Sequence, residues 1–325
     1  MEVNPTMRKN LAILSILATS LMSYAAMAQD EAAPAPEGGA PAPEAAAPAT
    51  EPAPAPAPEA APAAAPAGYP DAYALRPLTL AAGMFQATLP VVLTLSKNAV
   101  LKPVWIPLDL RFGVSNELEV FVSHTRYGGQ QAVGGGLCLG GTSRGCEKFY
   151  NNVNVGGQFS LLKNAGVELS GLLALEFRRL SDPMYLAVDV GVGFKYVAAP
   201  ISVKLAPQIG IGVNKRSGST TNLGGGITLE TPGNKENISV PLQIAFQAAP
   251  QIAVFLDSGI FGPVSHFGDN YGVPVGIGGS YLAMHGLDVG IEFMLRSALA
   301  GSSYSSDTKG INDRTLTLFA SWRSQ

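Results

Sequence analysis

Residues 287–296 read LDVGIEFMLR, and this stretch decides the class of fold. Every second residue from Leu287 to Leu295 is large and apolar, and the residues between them include Asp288, Glu292 and Arg296. A period of two is the period of a β-strand, whose successive side chains point to opposite faces. Such a strand fits a soluble sandwich with its apolar face inward, or a membrane barrel with its apolar face toward lipid.

The same alternation recurs along the chain and predicts about twelve strands. The first is ambiguous, near residues 78–95, and the others follow at residues 104–114, 118–125, 151–162, 166–177, 185–197, 201–213, 238–247, 252–257, 273–283, 287–296 and 314–322. Most runs approach the length of about 9–11 residues that a tilted strand needs to span a bilayer.

The connections between the predicted strands alternate in length. Short turns are predicted at residues 115–117, 163–165, 198–200, 249–251 and 285–286, and longer loops at residues 96–103, 126–150, 178–184, 214–237, 258–272 and 297–313. This is the layout of a bacterial outer-membrane barrel with both termini in the periplasm, and a soluble sandwich has no reason to sort its loops in this way. The sequence therefore predicts an all-β, antiparallel up-and-down β-barrel in the outer membrane.

Residues 70–325 resemble the Gram-negative outer-membrane β-barrel proteins, in a porin-like sense. The likeness is carried by the hairpin LRFGVSNELEV (110–120) and by the last strand RTLTLFASW (314–322). Such barrels usually finish on an aromatic-ended strand, whereas here Trp322 is followed by Arg323-Ser324-Gln325. The resemblance implies outer-membrane lipid and the barrel assembly machinery as partners, and it names no solute.

The N-terminal part of the chain is predicted to contain two further regions. Residues 1–28 have the basic start, short apolar run and small-x-small site of a secretory signal peptide, with a retained membrane anchor as the alternative. Residues 29–67 are rich in Ala, Pro and Glu and contain no aromatic or branched aliphatic residue, which predicts a disordered tether that a periplasmic partner could bind. The barrel domain is then residues 68–325. The net charge of −3 originates in the acidic tether, so no nucleic-acid partner is expected.

The polar faces of the strands identify candidate lumen residues. The alternation places ten charged side chains there: Asp109, Arg111, Glu119, Glu168, Asp189, Lys195, Lys204, Asp288, Glu292 and Arg296. Counting from the turns, Asp109, Asp189 and Glu292 lie at mid-depth with few basic neighbours. Carboxylates in a narrow wet lumen attract cations, so an open lumen should prefer cations mildly. The alternative is that all of these charges are ion-paired and hold the lumen together.

The cysteines and His124 are the other candidates for chemistry. Cys138 and Cys146 close a short Gly-rich loop in an exported chain, which predicts a surface-exposed disulfide rather than two free thiols. One family of twelve-stranded outer-membrane barrels is a phospholipase with a His-x-Ser pattern, but this chain has His124-Thr125-Arg126, so a nucleophile is missing where the base could reach it. The sequence predicts no catalytic residue, no metal site and no cofactor.

Two functions remain open at this point. One is a passive channel for small polar solutes or ions, and the other is a non-conducting structural or surface-display barrel that binds a partner through its tether or loops. The strand number does not separate them, because the interior of about eight strands is filled by side chains, about sixteen strands leave a water channel, and twelve fall between.

Overall fold

The computed structural model describes residues 69–96, 99–124, 135–140, 146, 149–164, 166–180, 184–224, 227–231 and 233–324. The predicted signal peptide and tether lie outside the described residues.

Twelve strands form the wall of the barrel, and several of them consist of two segments. In chain order they are β1 (Phe85–Ser96), β2 (Ala99–Ile106 and Asp109–Gly113), β3 (Leu118–Ser123 and Gly136–Leu139), β4 (Tyr150–Asn151 and Val153–Asn164), β5 (Val167–Arg179), β6 (Tyr185–Ala198), β7 (Ile201–Leu205 and Gln208–Gly212), β8 (Asn237–Ala249), β9 (Ile252–Pro263), β10 (Gly272–Met284), β11 (Leu287–Ala300) and β12 (Arg314–Arg323). Each strand pairs antiparallel with the next along the chain.

The barrel is closed by pairing between its first and last strands. β12 pairs antiparallel with β1, from Gln86 opposite Arg323 to Thr94 opposite Thr315. This seam pairs the two edge strands of the wall with each other, which is a requirement for a sheet surrounded by lipid. The predicted fold class, an all-β antiparallel barrel of about twelve strands, is confirmed.

The connections are sorted between the two ends of the barrel. The β2–β3, β4–β5, β6–β7, β8–β9 and β10–β11 connections are short and define the short-turn end. In the β10–β11 turn, which has two residues between the strands, Gly286 has a φ of +77°, a conformation that glycine adopts without steric cost. The opposite end, which we call the long-loop end, includes a small hairpin of two strands, Ser219–Gly224 and Ile227–Thr231.

In the part of the chain that the structure describes, helical structure is limited to single turns. An α-helical turn spans Phe267–Asn270, and 3-10 turns span Tyr73–Leu75, Ser306–Thr308 and Gly310–Asn312. Within the described ranges, no helix is long and apolar enough to cross a membrane.

Several strands extend beyond the alternating stretches that predicted them. The predicted loop at residues 96–103 is wrong, because β1 continues to Ser96 and β2 begins at Ala99. Likewise, β9 continues to Pro263 and β11 to Ala300. Ladder hydrogen bonds are made by the backbone, so a paired strand can continue through small residues where side-chain alternation is no longer visible.

The ambiguous first strand begins later than the sequence indicated. Residues 78–84 belong to no strand, and β1 starts at Phe85. Residues 69–84, which we call the N-terminal segment, instead lie inside the barrel at its short-turn end, where they contact lumen residues of the wall.

Candidate functional site: the barrel lumen

The stretch LDVGIEFMLR now has a defined orientation in β11. Its apolar residues Val289, Ile291 and Phe293 are 39%, 49% and 37% exposed, whereas Asp288 is only 2% exposed. Other strands expose the same kind of side chain on their outer faces, including Leu173, Leu175, Ile244, Phe246, Val254, Leu256, Val275, Ile277 and Leu318. An apolar outer face around a polar interior inverts the arrangement of a soluble protein and is that of a transmembrane barrel.

The N-terminal segment is held at two turns of the short-turn end. Near β1, the Ala82 amide donates to Asn116 Oδ1 (3.2 Å) and the Gly83 amide donates to the Gly113 carbonyl (2.7 Å). At the other end of the segment, the Asp71 carboxylate lies 2.5 Å from His285 Nδ1 in the β10–β11 turn. The segment therefore extends across the lumen between two turns that are separated by four strands of the wall.

Two lumen carboxylates bind the backbone of this segment. Glu168 Oε2 accepts a hydrogen bond from the Leu78 amide (2.6 Å), and Glu119 Oε2 accepts one from the Leu80 amide (3.0 Å). The other carboxylate oxygen of Glu119 pairs with Arg111 (3.0 Å). Because the segment has no strand partner, these side chains supply bonds that a β-ladder would otherwise provide.

Asp288 is the centre of a three-residue ion cluster. The Arg76 guanidinium of the N-terminal segment binds both of its oxygens at 2.8 Å, and Arg323 of β12 binds one of them at 2.5 Å. Arg323 is only 3% exposed. The Lys195 ammonium also donates to the Arg76 carbonyl. Asp288 thus joins the segment to the two last wall strands.

Tyr73 occupies an aromatic seat inside the lumen. Its ring stacks on Phe255 with 5.6 Å between centroids, and Phe319 packs against the same cluster. The Tyr73 hydroxyl donates to Gln243 Oε1 (3.3 Å), and the Ala74 amide donates to Gln247 Oε1 (3.1 Å). This seat combines apolar burial with polar contacts to β8.

Two glycines of the wall make room for the aromatic seat. A Cβ atom at Gly278 would lie 2.3 Å from the Phe255 ring, and one at Gly290 would lie 2.1 Å from the Phe319 ring. Any side chain at these positions would displace the rings. The glycines therefore decide where the two phenylalanines can lie.

A cavity of about 300 Å³ lies beside the N-terminal segment, between it and the wall. Its walls include residues from β1 to β8, and Tyr69, Tyr73 and Arg76 of the segment also line it. The charged wall residues that border the cavity are Asp109, Arg111, Glu119, Asp189, Lys195 and Lys204. This is the volume in which a solute could be bound or passed.

The predicted mid-depth acids have different surroundings. Asp109 accepts hydrogen bonds from Ser123 Oγ (2.7 Å) and the His124 amide (2.9 Å). Asp189 Oδ1 and Arg178 Nη2 both lie close to Gly210, since a Cβ atom on this glycine would be 2.4 Å from the first atom and 2.3 Å from the second. Asp189 therefore has a basic neighbour. Arg178 was absent from the predicted set of lumen charges, although it follows the alternating stretch of β5 directly.

Glu292 has a carboxyl neighbour instead of a basic one. Its side chain meets that of Asp257 across the intervening strand β10. Gly276 lies between the two on β10, and a Cβ atom there would be 3.0 Å from Glu292 Oε1. The glycine allows the two carboxyls to approach. Neither carboxyl borders the cavity described above.

The remaining predicted lumen charges lie toward the two ends. Lys195 is directly opposite both Lys204 on β7 and Glu168 on β5. Arg296 lies at the long-loop end, where its Nε donates to Asp313 Oδ1 (2.8 Å). Arg296 therefore binds the chain that leads into β12.

The Cys138–Cys146 disulfide is confirmed, but its predicted exposure at the surface is wrong. The two cysteines are 2% and 3% exposed and cluster with Val92 and Trp105. The reason is that Cys138 is in the second segment of β3, directly opposite Trp105 of β2, rather than in a free loop. The disulfide is thus part of the barrel near its long-loop end.

His124 lies where β3 is interrupted. Its two ring nitrogens contact the Leu108 carbonyl and the Tyr150 hydroxyl, the latter at 2.5 Å, and its ring packs edge-on against Tyr150. Thr125 and Arg126 lie outside the described residues. Among the residues that the structure describes, no group of three or more His, Cys, Asp or Glu side chains could hold a metal ion.

The chain has the architecture of an outer-membrane β-barrel. No family model and no curated protein matches its sequence. Among solved structures, it is similar to the NanC porin (6% identity, TM-score 0.47) and to the KdgM porin (9% identity, TM-score 0.45), in each case over 73% of this chain and 98% of the other. It is also similar to OmpF of Salmonella typhi in complex with daunomycin (11% identity, TM-score 0.36, 74% of this chain and 96% of the other).

Proposed function

We propose that this protein is an outer-membrane diffusion channel for small polar solutes or ions. The observation that carries the proposal is the cavity of about 300 Å³ inside the barrel, bordered by charged side chains. A barrel interior that served only as a packed core would be filled by side chains. A polar cavity holds water and solutes, and its charges select among them. The proposal includes no catalytic step.

The channel should prefer cations mildly. Asp109 and Asp189 border the cavity and place two carboxylates in its lining. Two of the basic groups nearby are already bound, Arg111 by Glu119 and Arg76 by Asp288. A low-dielectric wall focuses the field of carboxylates along a narrow lumen.

The same proposal assigns the surroundings of the barrel. The outer face contacts outer-membrane lipid, the barrel assembly machinery inserts the chain, and both termini lie in the periplasm. The Ala/Pro-rich residues 29–67 act as a tether that a periplasmic protein binds. The even strand number and the short turns at one end support this orientation.

Planar-bilayer recording of the full mature chain tests the proposal. Discrete current steps are expected, and the reversal potential in a KCl gradient should show modest cation selectivity. Vesicle swelling in isosmotic solutions of small sugars and amino acids then gives the size limit. Anion selectivity would contradict the assignment of the acids, while leaving channel activity intact.

A second function is favoured by one specific observation. The N-terminal segment crosses the lumen at the short-turn end, as a structural or surface-display barrel with a closed lumen would require. Absence of current from both the full chain and a chain lacking residues 69–82 would favour this function over the channel.

A further inference from the structure

We propose that the N-terminal segment is the gate of the barrel: docked, it closes the short-turn end, and its departure opens a path to the cavity. This inference rests on the proposed channel function. It concerns the residues directly before β1, which the wall does not need for its own closure.

The docked segment spans the bore instead of lining one side. Its contacts are made with Glu119 on β3, Glu168 on β5, Gln243 and Gln247 on β8, and Asp288 on β11. These strands lie on different sides of the closed barrel. A chain tied to all of them obstructs passage along the axis.

The wall is complete without this segment. β12 pairs with β1 along its length, and Asp288 keeps Arg323 as a partner when Arg76 leaves. The segment is held by side-chain contacts along most of its length, and by backbone hydrogen bonds to Gly113 only at its junction with β1, rather than by a strand ladder. The N-terminal segment can therefore leave the aromatic seat without breaking hydrogen bonds between wall strands.

A glycine provides a pivot at the junction with the wall. Gly83 has a φ of +77°, and a Cβ atom at this position would have nothing within 4 Å. The space beside the Gly83 Cα is open, and glycine permits large changes in φ once the hydrogen bond from the Gly83 amide to the Gly113 carbonyl breaks. The residues before Gly83 can turn away while β1 stays paired.

The release variant is Tyr73→Ala/Arg76→Ala. It removes the ring that fills the aromatic seat and the guanidinium that binds Asp288, and it changes no wall residue. The matched control is Leu75→Ala, in the same turn, because the Leu75 side chain is 38% exposed and lies outside the seat.

Docking is measured separately from current. Ala74 is 0% exposed, so the thiol of Ala74→Cys should react with a maleimide only when the segment leaves its seat. The release variant should raise the labelling rate by about tenfold or more, the effect of losing a charge-assisted hydrogen bond. Leu75→Ala should not change it. Equal rates in all three backgrounds would overturn the docking on which the gate depends.

Single-channel recording completes the test. We expect the release variant to conduct more, or to be open for more of the time, than the full chain and Leu75→Ala. Equal conductance in all of them would overturn the gate and leave the channel standing. Silence of every variant, including the one whose Ala74→Cys labels rapidly, would instead overturn the proposed channel function.

A reversible lock gives an independent result. Ala74 and Ala245 belong to one buried cluster, so oxidation of Ala74→Cys/Ala245→Cys should fix the segment on β8. Opening events should disappear on oxidation and return when a reductant is added. Because the reductant can also reduce the Cys138–Cys146 disulfide, the chain without the two new cysteines is the control. Unchanged currents in the cross-linked protein would overturn the gate.

Discussion

The short-turn end of the lumen and the cavity beside it are lined by charged residues from the same face of the wall, yet they differ in what those charges contact. At the short-turn end, Glu168 and Asp288 bind the N-terminal segment. In the cavity, Asp109 and Asp189 border a volume large enough for a solute. The inward-facing charged residues therefore have two roles: those at the short-turn end bind the N-terminal segment, and others line the cavity.

The largest effect is expected from breaking the short-turn end at Asp288. Asp288→Ala leaves two guanidiniums without their carboxylate, and removing one partner of a buried ion pair costs about 3–5 kcal/mol. The buried Arg323 makes this loss hard to solvate. Urea or heat unfolding followed by gel mobility measures it, with exposed Asp269→Ala as the control. Similar unfolding of both variants would mean that water replaces Asp288 at this end.

The second effect concerns the aromatic seat. Gly278→Ala forces a methyl group into the Phe255 ring, and overpacking of this kind costs about 1–3 kcal/mol in the free energy of unfolding. The neighbouring Gly279→Ala is the matched control, because a Cβ atom there would meet only the Ala253 carbonyl at 3.5 Å. A larger cost at Gly279 than at Gly278 would contradict the placement of Phe255 inside the lumen.

The third effect concerns the cavity alone. Asp109→Asn/Asp189→Asn should lower cation selectivity by up to a factor of about five without unfolding the barrel. The reason is that a cation about 4 Å from a carboxylate is stabilised by ~1 kcal/mol in water, which corresponds to a factor of about five in its occupancy. Glu292→Gln should change it less, because Glu292 lies outside the cavity lining. Reversal potentials in a KCl gradient measure both. A larger change for Glu292→Gln would place the selective site on the other side of the lumen.

The smallest effect is a pH dependence of docking. Burial raises the pKa of Tyr69 from 10.0 to about 12. The docked segment therefore holds the phenol proton more tightly, so docking is fully favoured below pH 10 and weakens as the pH rises toward 12. A nitroxide on Leu75→Cys should become more mobile over this range.

Tyr69→Phe is the matched variant for this titration. It should lessen the gain in mobility, with Tyr73, whose pKa is also raised by burial, supplying the remainder. Mobility that is constant from pH 10 to 12 in the parent would show that the Tyr69 phenol is not part of the docked segment.

The sequence predicted the barrel because a period of two is a property of every wall strand. In β11 it separated Asp288 from Val289 and Ile291 correctly, since a one-residue change in register would exchange the two faces. The same logic extends to Arg323, which shares the inner face of β12 with Thr315 and Ser321, although it lies beyond the predicted end of that strand.

The N-terminal segment could not be predicted in the same way. Residues 69–84 are apolar and rich in Pro and Ala, and their contacts with β5, β8 and β11 depend on closure of a barrel that forms from distant parts of the chain. Alternation also reports nothing on residues between strands, which is why the disulfide was placed at the surface. Glu292 on β11 and Asp257 on β9 lie on strands that do not pair with each other. Their side chains meet because Gly276, on the intervening strand β10, leaves room for them.

The ion cluster at Asp288 has a consequence for the order of folding events. The segment directly precedes β1, which forms the final seam with β12, and the Phe85 amide donates to Ser324 Oγ (2.7 Å) at the base of that seam. Arg323, next to Ser324, shares Asp288 with Arg76. Pairing of β1 with β12 and docking of the N-terminal segment therefore involve neighbouring residues, and we expect the two steps to occur together during folding. Ala74 should remain accessible in a chain whose β1–β12 seam has not yet formed. Pulse labelling during refolding should show that Ala74 becomes protected at the same time as the seam forms.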